Sequence, residues 1–141
     1  MPGTGPADVV GKFNKAWAAG DIGAVMALVA EDAEYALHLS NDILPFGGVT
    51  TGRAAIEATI RQIRESFEFI LYRPMQLAVE GDAVRYQVEF MYRHRASGEM
   101  LQGRFRLVMR VVNGLIVSAQ EYHDRAKVEA FMRLVSQKQH E

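Results

Sequence analysis

Glu121 and His123 stand two positions apart, at the end of a segment in which apolar residues recur at every second position. In a β-strand this spacing places both side chains on one face of the sheet. A carboxyl group among apolar side chains is well suited to proton transfer, and a neighbouring imidazole can orient it or pass its proton on. The pair predicts an acid–base site. The alternatives are an ion pair between Glu121 and Arg106 and a structural histidine.

Two tyrosines could complete such a site. Tyr35 and Tyr86 fall on the predicted apolar faces of their strands, where a phenolic hydroxyl can donate a hydrogen bond to a substrate oxygen. The alternative is that both are amphipathic core residues. We therefore take Glu121, His123, Tyr35 and Tyr86 as the candidate catalytic residues.

Other chemistries find little support in the sequence. His38, His94 and His140 lack converging partners, and the chain has no cysteine, so no metal site is predicted. Gly47-Gly48 lacks the lysine and the spacing of a phosphate-binding loop. We expect no cofactor.

Length and charge indicate a single small domain. The chain has 141 residues and a formal net charge of −1, which gives no electrostatic footprint for nucleic acid. We expect a loose tail at residues 1–6 and one domain over residues 7–138. Neither a signal peptide nor a membrane span is evident, so a cytoplasmic location is expected.

Periodicity predicts four helices. Apolar residues at helical spacing indicate a helix from Ala7 to Gly20 and a short second helix capped by Asp21 and extending to Val29. Thr51 is predicted to cap a third helix, and Asp124 to cap the last one. The apolar stripe of the third helix consists of Ile56, Ile60, Ile63 and Phe67.

Alternation predicts one isolated strand and then four in succession. The first covers Ala33–Ser40 and is followed by a loop over Asn41–Thr50, whereas Pro74 is expected to mark the start of the main sheet. A tight turn at Gly81-Asp82 pairs Val79 with Val84 and Leu77 with Tyr86. A turn at Ser97-Gly98 pairs Tyr92 with Gly103 and Phe90 with Phe105.

The last hairpin allows two registers. A two-residue turn at Asn113-Gly114 would pair Val112 with Leu115 and place Glu121 opposite Arg106 on the polar face. A three-residue turn with Gly114 as a bulge would pair Val111 with Leu115 and place Glu121 opposite Phe105, inside. The second register is favoured, because Leu115, Val117 and Ala119 are more uniformly apolar than the even-numbered residues.

The order of elements, with several local stretches, resembles the nuclear transport factor 2-like superfamily, in particular its SnoaL-like and ketosteroid isomerase-like branches. The stretches are Ala19-Gly20-Asp21-Ile22, residues 27–33, residues 51–56 and Asn113-Gly114-Leu115-Ile116 leading to Glu121-Tyr122-His123-Asp124. The resemblance implies an α+β fold, a cystatin-like roll in which a cone-shaped, curved antiparallel sheet wraps around helices. It also implies a deep apolar pocket and often a dimer.

The resemblance carries only part of the family's chemistry to this chain. Phe13 stands where the steroid isomerases have their oxyanion tyrosine, Leu37 where they have their base, and Leu107 at or near their second acid. In the limonene epoxide hydrolases, Tyr35 matches a tyrosine and Glu121 one of the two aspartates. Leu37, Val88 and Phe90 replace the remaining polar residues of that site.

Together these observations predict a small-molecule-binding protein that, if it is an enzyme, carries out cofactor-independent isomerisation, cyclisation or dehydration of a small apolar substrate. The alternatives are a non-catalytic binding domain for a hydrophobic ligand and a dimeric interaction module. A homodimer through the outer face of the sheet is expected, without nucleic acid or membrane partners. The expected pocket is lined by Phe13, Trp17, Leu37, Val88, Phe90, Phe105, Leu107, Met109 and Ala119.

Overall fold

Four helices and six strands make up the computed structural model, which describes residues 5–139. Two helices and two strands come first along the chain, and a third helix, four strands and a closing helix follow. Their bounds are α1 Pro6–Ala19, α2 Ile22–Met26, β1 Val29–Leu37, β2 Gly48–Thr51, α3 Arg53–Ser66, β3 Phe67–Glu80, β4 Ala83–His94, β5 Met100–Val112, β6 Leu115–Tyr122 and α4 Arg125–Gln139.

The six strands form one curved sheet in the order β2-β1-β6-β5-β4-β3. This confirms the predicted α+β class, although the sheet is mixed because β1 runs parallel to β6. The inner face of the sheet packs against α1 and α3, and Phe131 of α4 lies against Phe67 and His94. Apolar side chains of both layers form one core, which includes Val9, Val10, Ile56, Ile60, Val84 and Val88.

The helices follow the predicted pattern, with different ends. Gly20 ends α1 with a positive φ of 73°, and the Asp21 carboxylate accepts a hydrogen bond from the Ala24 amide at 3.0 Å. Val29, assigned to the second helix from its spacing, instead begins β1. Thr51 lies in β2 and gives no cap, because Gly52 occupies the N-cap position of α3. Phe67, at the end of the predicted stripe, begins β3.

The third strand begins seven residues before Pro74, so the prediction that this proline starts the sheet was wrong. Proline is tolerated there because β3 is an edge strand, where one amide is free of the ladder. Val79 pairs with Val84 as predicted, but Gln76, at a φ of 59°, and Leu77 lie in a bulge between Met75 and Ala78, so Leu77 does not form the predicted pair with Tyr86.

The hairpin of β4 and β5 has the predicted faces with a register shifted by two residues. Tyr92 pairs with Leu101 and Phe90 with Gly103. The reason is a wider turn, in which the His94 amide donates to the Glu99 carbonyl at 2.8 Å. A shift of two residues preserves the side-chain face, so the predicted inner residues remain inside.

The last hairpin combines features of both predicted registers. Asn113 and Gly114 have positive φ values of 53° and 78° and form the two-residue turn, pairing Val112 with Leu115. The register then shifts by one between the start of β6 and Ser118, so that Glu121 pairs with Leu107. Glu121 is therefore inside, as favoured, but the bulge lies within the strand and not at Gly114.

At the N-terminal end of the domain, Gly5 is the N-cap of α1 and Pro6 its first residue, so both were wrongly placed in the tail, and residues 1–4 lie outside the described residues. Asp124 caps the last helix, because its carboxylate accepts from the Lys127 amide at 3.3 Å. No helix within residues 5–139 is long and apolar enough to cross a membrane.

Candidate active site

Strands β1 and β6 bring Tyr35 and Glu121 together. Leu37 lies beside Glu121 and Tyr35 beside Ala119 in the parallel ladder, so the two side chains share the inner face. The Tyr35 hydroxyl donates a hydrogen bond to Oε1 of Glu121 at 2.9 Å. The two residues are 86 positions apart in the chain, and only the parallel pairing of β1 with β6 makes this contact possible.

His123 holds the other oxygen of the same carboxylate. Its Nε2 atom lies 2.6 Å from Oε2 of Glu121, and the two side chains are 9% and 17% exposed. The imidazole stacks on the Phe105 ring at 4.6 Å and meets the Phe90 ring edge-on at 5.9 Å. These rings fix the orientation of His123, which in turn fixes the carboxylate.

The alternative ion pair with Arg106 does not form. The Arg106 guanidinium lies 5.1 Å from the centre of the Tyr122 ring, on the outer side of the sheet. Glu121 has no lysine or arginine partner among residues 5–139. Its carboxylate is thus held by one phenol and one imidazole, both of which can take part in proton transfer.

Burial keeps the tyrosines near Glu121 protonated. Removal from water raises the pKa of Tyr35 well above its ordinary value, and the nearby Glu121 charge and the hydrogen bond to it raise this pKa further. The pKa of Tyr92 is raised in the same way, first by burial and then by the Glu121 charge. Both phenols are therefore hydrogen-bond donors at neutral pH.

Glu121 and Tyr35 lie in the wall of an apolar cavity of about 80 Å³. The cavity runs between the sheet and helices α1 and α3, and its other walls include aromatic and aliphatic side chains. Six of the nine predicted pocket residues line it: Phe13, Trp17, Phe105, Leu107, Met109 and Ala119. The Nε1 atom of Trp17 is buried and has no hydrogen-bond partner among the described residues.

A second apolar cavity, of about 50 Å³, lies on the other side of Glu121. Two further predicted pocket residues, Leu37 and Phe90, line it together with His123. Leu39, Leu44 and Phe46 of the loop between β1 and β2 close it. The prediction of a loop over Asn41–Thr50 was right only in part, because β2 begins at Gly48 and Leu39 was assigned to the first strand. The position of the loop over the site was not predicted.

His123 also borders a polar cavity of about 100 Å³ near the start of α4. The charged residues Arg104, Asp124 and Lys127 line this cavity, and all three are exposed. His123 therefore stands between the enclosed Glu121 carboxylate and a region that water can enter. An imidazole in this position can exchange protons with solvent.

Tyr86 belongs to a different cluster. Its hydroxyl donates to Oδ1 of Asn14 at 3.2 Å, and the hydroxyl of Tyr72 donates to the same oxygen at 3.1 Å. Burial raises the pKa of Tyr86 well above its ordinary value. The structure thus separates Tyr86 from the Glu121 group. Val88, the remaining predicted pocket residue, is fully buried and lines neither apolar cavity.

Sequence reasoning missed three polar residues of the interior. Asn14 follows Val10 by four positions and so lies on the apolar face of α1, which was the available signal. Tyr72 was overlooked because the sheet was expected to start at Pro74. Tyr92 was placed on the inner face but was not recognised as a neighbour of Glu121.

Within the part of the chain that the structure describes, no three histidine or acidic side chains come together in a way that could hold a metal ion. The polar residues that line the two apolar cavities are Glu121, the exposed Glu34, His123, Tyr35, Tyr72, Tyr92 and Trp17. This set of groups supports proton transfer and the binding of an oxygen atom.

Solved structures with the same fold come from several bacteria. A cystatin-like-fold protein from Xanthomonas campestris superposes with a TM-score of 0.80 at 20% identity, covering 91% of this chain and 98% of that one. A proposed isomerase from Rhodopseudomonas palustris has a TM-score of 0.76 at 18% identity, with 86% and 92% covered. A proposed polyketide cyclase from Pseudomonas putida has a TM-score of 0.73 at 17% identity, with 89% and 96% covered.

At these identities the likeness establishes the fold. Among curated proteins none matches the chain significantly. The sequence model of the SnoaL-like domain matches residues 10–119, which include all the strands as far as Ala119 and all the helices except α4. The chain therefore belongs to the SnoaL-like domain family, within the fold of the NTF2-like and ketosteroid isomerase-like proteins.

Proposed function

We propose that this protein is a cofactor-independent acid–base enzyme, an isomerase, cyclase or dehydratase, that acts on a small apolar carbonyl compound. The observation that carries the proposal is the Glu121 carboxylate, enclosed between apolar cavities and held by Tyr35 at 2.9 Å and His123 at 2.6 Å. The proposed isomerase from Rhodopseudomonas palustris and the proposed polyketide cyclase from Pseudomonas putida share its fold, which agrees with this class of reaction.

In the proposed reaction Glu121 takes a proton from the carbon next to the substrate carbonyl. The electron pair of the broken C–H bond forms an enolate. In an isomerisation of a β,γ-unsaturated ketone the C=C bond shifts into conjugation, and the proton returns from Glu121 to the γ carbon. In a cyclisation the enolate carbon attacks a second carbonyl group, whose π electrons move to its oxygen, and this oxygen takes the proton from Glu121. Tyr35 and His123 are positioned to hold the carboxylate, and His123 to exchange its proton with solvent through the polar cavity.

The cavities themselves support a ligand. An unfilled apolar cavity of 80 Å³ costs about 2 kcal/mol by the measured dependence of stability on cavity volume. Larger side chains would recover that free energy if the interior served packing alone. A partly buried carboxylate beside such a cavity adds a further cost in stability, which a role in binding and chemistry would explain.

The test is the exchange of carbon-bound protons in D₂O. Cyclohexanone, cyclopentanone and acetophenone are followed by proton NMR with the wild-type protein and with Glu121→Gln, and Glu89→Gln on the outer face serves as the control. We expect exchange above the buffer rate, lost by a factor of about 10²–10⁴ in Glu121→Gln, and kept in Glu89→Gln. Equal rates in wild type and Glu121→Gln would remove Glu121 from the chemistry.

The second candidate function is a binding domain without catalysis. Leu37 and Leu107 stand where the steroid isomerases carry acids, and both lie beside Glu121 in the sheet. In that case the ketones would bind without any exchange of their protons.

The expected homodimer and the cytoplasmic location remain predictions. A second copy would cover the outer face of the sheet, where Tyr122 stacks on His38 at 4.3 Å and carries Arg106 over its ring. Sedimentation analysis of the wild type and of Tyr122→Ala tests this arrangement, and a monomeric wild type would contradict it.

A further inference from the structure

The two apolar cavities meet at three residues. Ile63, Tyr92 and Glu121 line both the cavity of about 80 Å³ and the cavity of about 50 Å³. All other lining residues belong to one cavity or the other. We call these three residues the neck, because a molecule in both cavities would pass them.

The two oxygen atoms of the Glu121 carboxylate have partners in different cavities. Its Oε1 atom accepts from Tyr35, which lines the first cavity only, and its Oε2 atom lies beside His123, which lines the second only. Neither partner extends into the other cavity. Glu121 therefore lies between two apolar chambers and not at the end of one.

The neck also contains an unused hydrogen-bond donor. The Tyr92 side chain is 9% exposed, and its hydroxyl forms no hydrogen bond within residues 5–137, whose side chains the structure describes. Its ring is held by Phe69, stacked at 4.1 Å, and by Phe90 at 4.6 Å. A fixed phenol that lines both cavities can donate a hydrogen bond to an acceptor of a bound molecule.

We propose that the substrate is an apolar ketone whose carbonyl group lies between two apolar arms, one in each cavity, with the oxygen accepting from Tyr92 at the neck. This inference rests on the proposed function for the role of Glu121, which faces the carbon next to the carbonyl. At about 10–15 Å³ for each water-sized group, the first cavity has room for about five to eight such groups and the second for about three to five. Each arm is thus a short chain or a small ring.

Two nonanone isomers test the position of the carbonyl. One has it on the central carbon, with a butyl arm on each side, and the other has it on the second carbon. We expect the central isomer to bind the wild-type protein about tenfold more tightly in calorimetry, since each excluded methylene weakens binding about fourfold. Equal affinities would overturn the proposal.

Variants that fill one cavity test the two arms. Leu44→Phe fills only the second cavity and Ile60→Phe only the first. Each is expected to weaken binding of the central isomer about tenfold and to remove its advantage over the other isomer. Leu134→Phe, at an exposed position of α4, is the control. Leu39→Phe replaces Leu44→Phe if thermal unfolding shows that the latter is misfolded, and unchanged binding in either would contradict the second arm.

Tyr92→Phe tests the donor at the neck. We expect it to weaken binding of both isomers about tenfold, whereas Tyr122→Phe on the outer face leaves binding unchanged. Wild-type affinity in Tyr92→Phe would overturn the role of this hydroxyl.

The two proposals can fail separately. Proton exchange that depends on Glu121, without any preference for the central isomer, would leave the proposed function and overturn the two-armed substrate. A preference for the central isomer without proton exchange would support the two-armed ligand and overturn the proposed function.

Discussion

Two polar clusters lie inside this apolar fold, and they have the same hydrogen-bond arrangement. In one, the carboxylate of Glu121 lies between Tyr35 and His123. In the other, the amide oxygen of Asn14 accepts from Tyr72 and Tyr86 at 3.1 and 3.2 Å. Each places one acceptor residue between two side-chain donors.

The clusters differ in their acceptor and in their surroundings. Asn14 is 8% exposed, lines neither apolar cavity, and has an amide that takes up no proton near neutral pH. Glu121 lines both cavities and has an oxygen that can accept a proton. The same arrangement therefore fastens α1 to the sheet in one place and, in the proposed function, holds a base in the other.

Asn14→Leu should produce the largest change, and it should be in stability. The substitution keeps the volume but leaves two buried hydroxyls without their acceptor, which costs about 3 kcal/mol in the free energy of unfolding. Urea denaturation followed by circular dichroism measures the loss. A loss below about 1 kcal/mol would show that water or another group replaces Asn14, and that the cluster is not structural.

His123→Gln should lower the rate of ketone proton exchange about a hundredfold, at the lower end of the range for groups that assist proton transfer. The reason is that Glu121 loses both its second partner and its neighbour at the polar cavity. NMR in D₂O gives the rate, and His38→Gln, outside the cavity, is the matched control. Exchange at the wild-type rate would make His123 a structural residue.

Tyr35→Phe and Tyr86→Phe form a matched pair across the two clusters. Tyr35→Phe should slow exchange about tenfold by freeing one oxygen of Glu121, whereas Tyr86→Phe should leave exchange unchanged and lower stability by about 1 kcal/mol. Exchange rates and urea denaturation are measured on both proteins. The opposite result, with Tyr86→Phe slowing exchange, would return Tyr86 to the active site.

Raising the pH should weaken both clusters together. The pKa values of Tyr35, Tyr72, Tyr86 and Tyr92 are raised, mainly by burial, so the folded protein keeps protons that the unfolded chain loses near pH 10. The free energy of unfolding is therefore unaffected below about pH 9 and falls above it, by about 0.4 kcal/mol per tyrosine at pH 10.

Urea denaturation between about pH 8 and pH 11 measures this slope. In Tyr35→Phe and in Tyr86→Phe, the free energy of unfolding should fall less steeply with pH, by the contribution of one tyrosine. A stability that does not change over this range would mean that these phenols are exposed to water.

The sequence predicted most elements and the inner face of the sheet, because alternation survives an error of two residues in register. It could not locate the bulge in β6, since either turn at Asn113-Gly114 is compatible with the local residues. The first half of β3 was missed because Pro74 was taken to mark the start of the sheet. Proline is compatible with an edge strand, but the sequence does not show that β3 lies at the edge.

For the site, the pair Glu121 and His123 followed from spacing within one strand. Its contact with Tyr35 depends on the parallel pairing of β1 with β6, and the place of Tyr92 at the neck depends on the packing of α3 against the sheet. Pairings between distant segments leave no periodic signal in either partner. Tyr86 was predicted to be in the site because it lies on the inner face of the sheet. The face alone does not show which polar residue the Tyr86 hydroxyl contacts.

The central claim is that one polar cluster does chemistry and the other maintains the fold. Proton exchange per folded molecule, measured side by side for Glu121→Gln and Asn14→Leu, tests this directly. The account predicts that Glu121→Gln stays as stable as the wild type and loses exchange, while Asn14→Leu is less stable and exchanges at the wild-type rate. Exchange that survives in Glu121→Gln, or that is lost equally in both proteins, would contradict it.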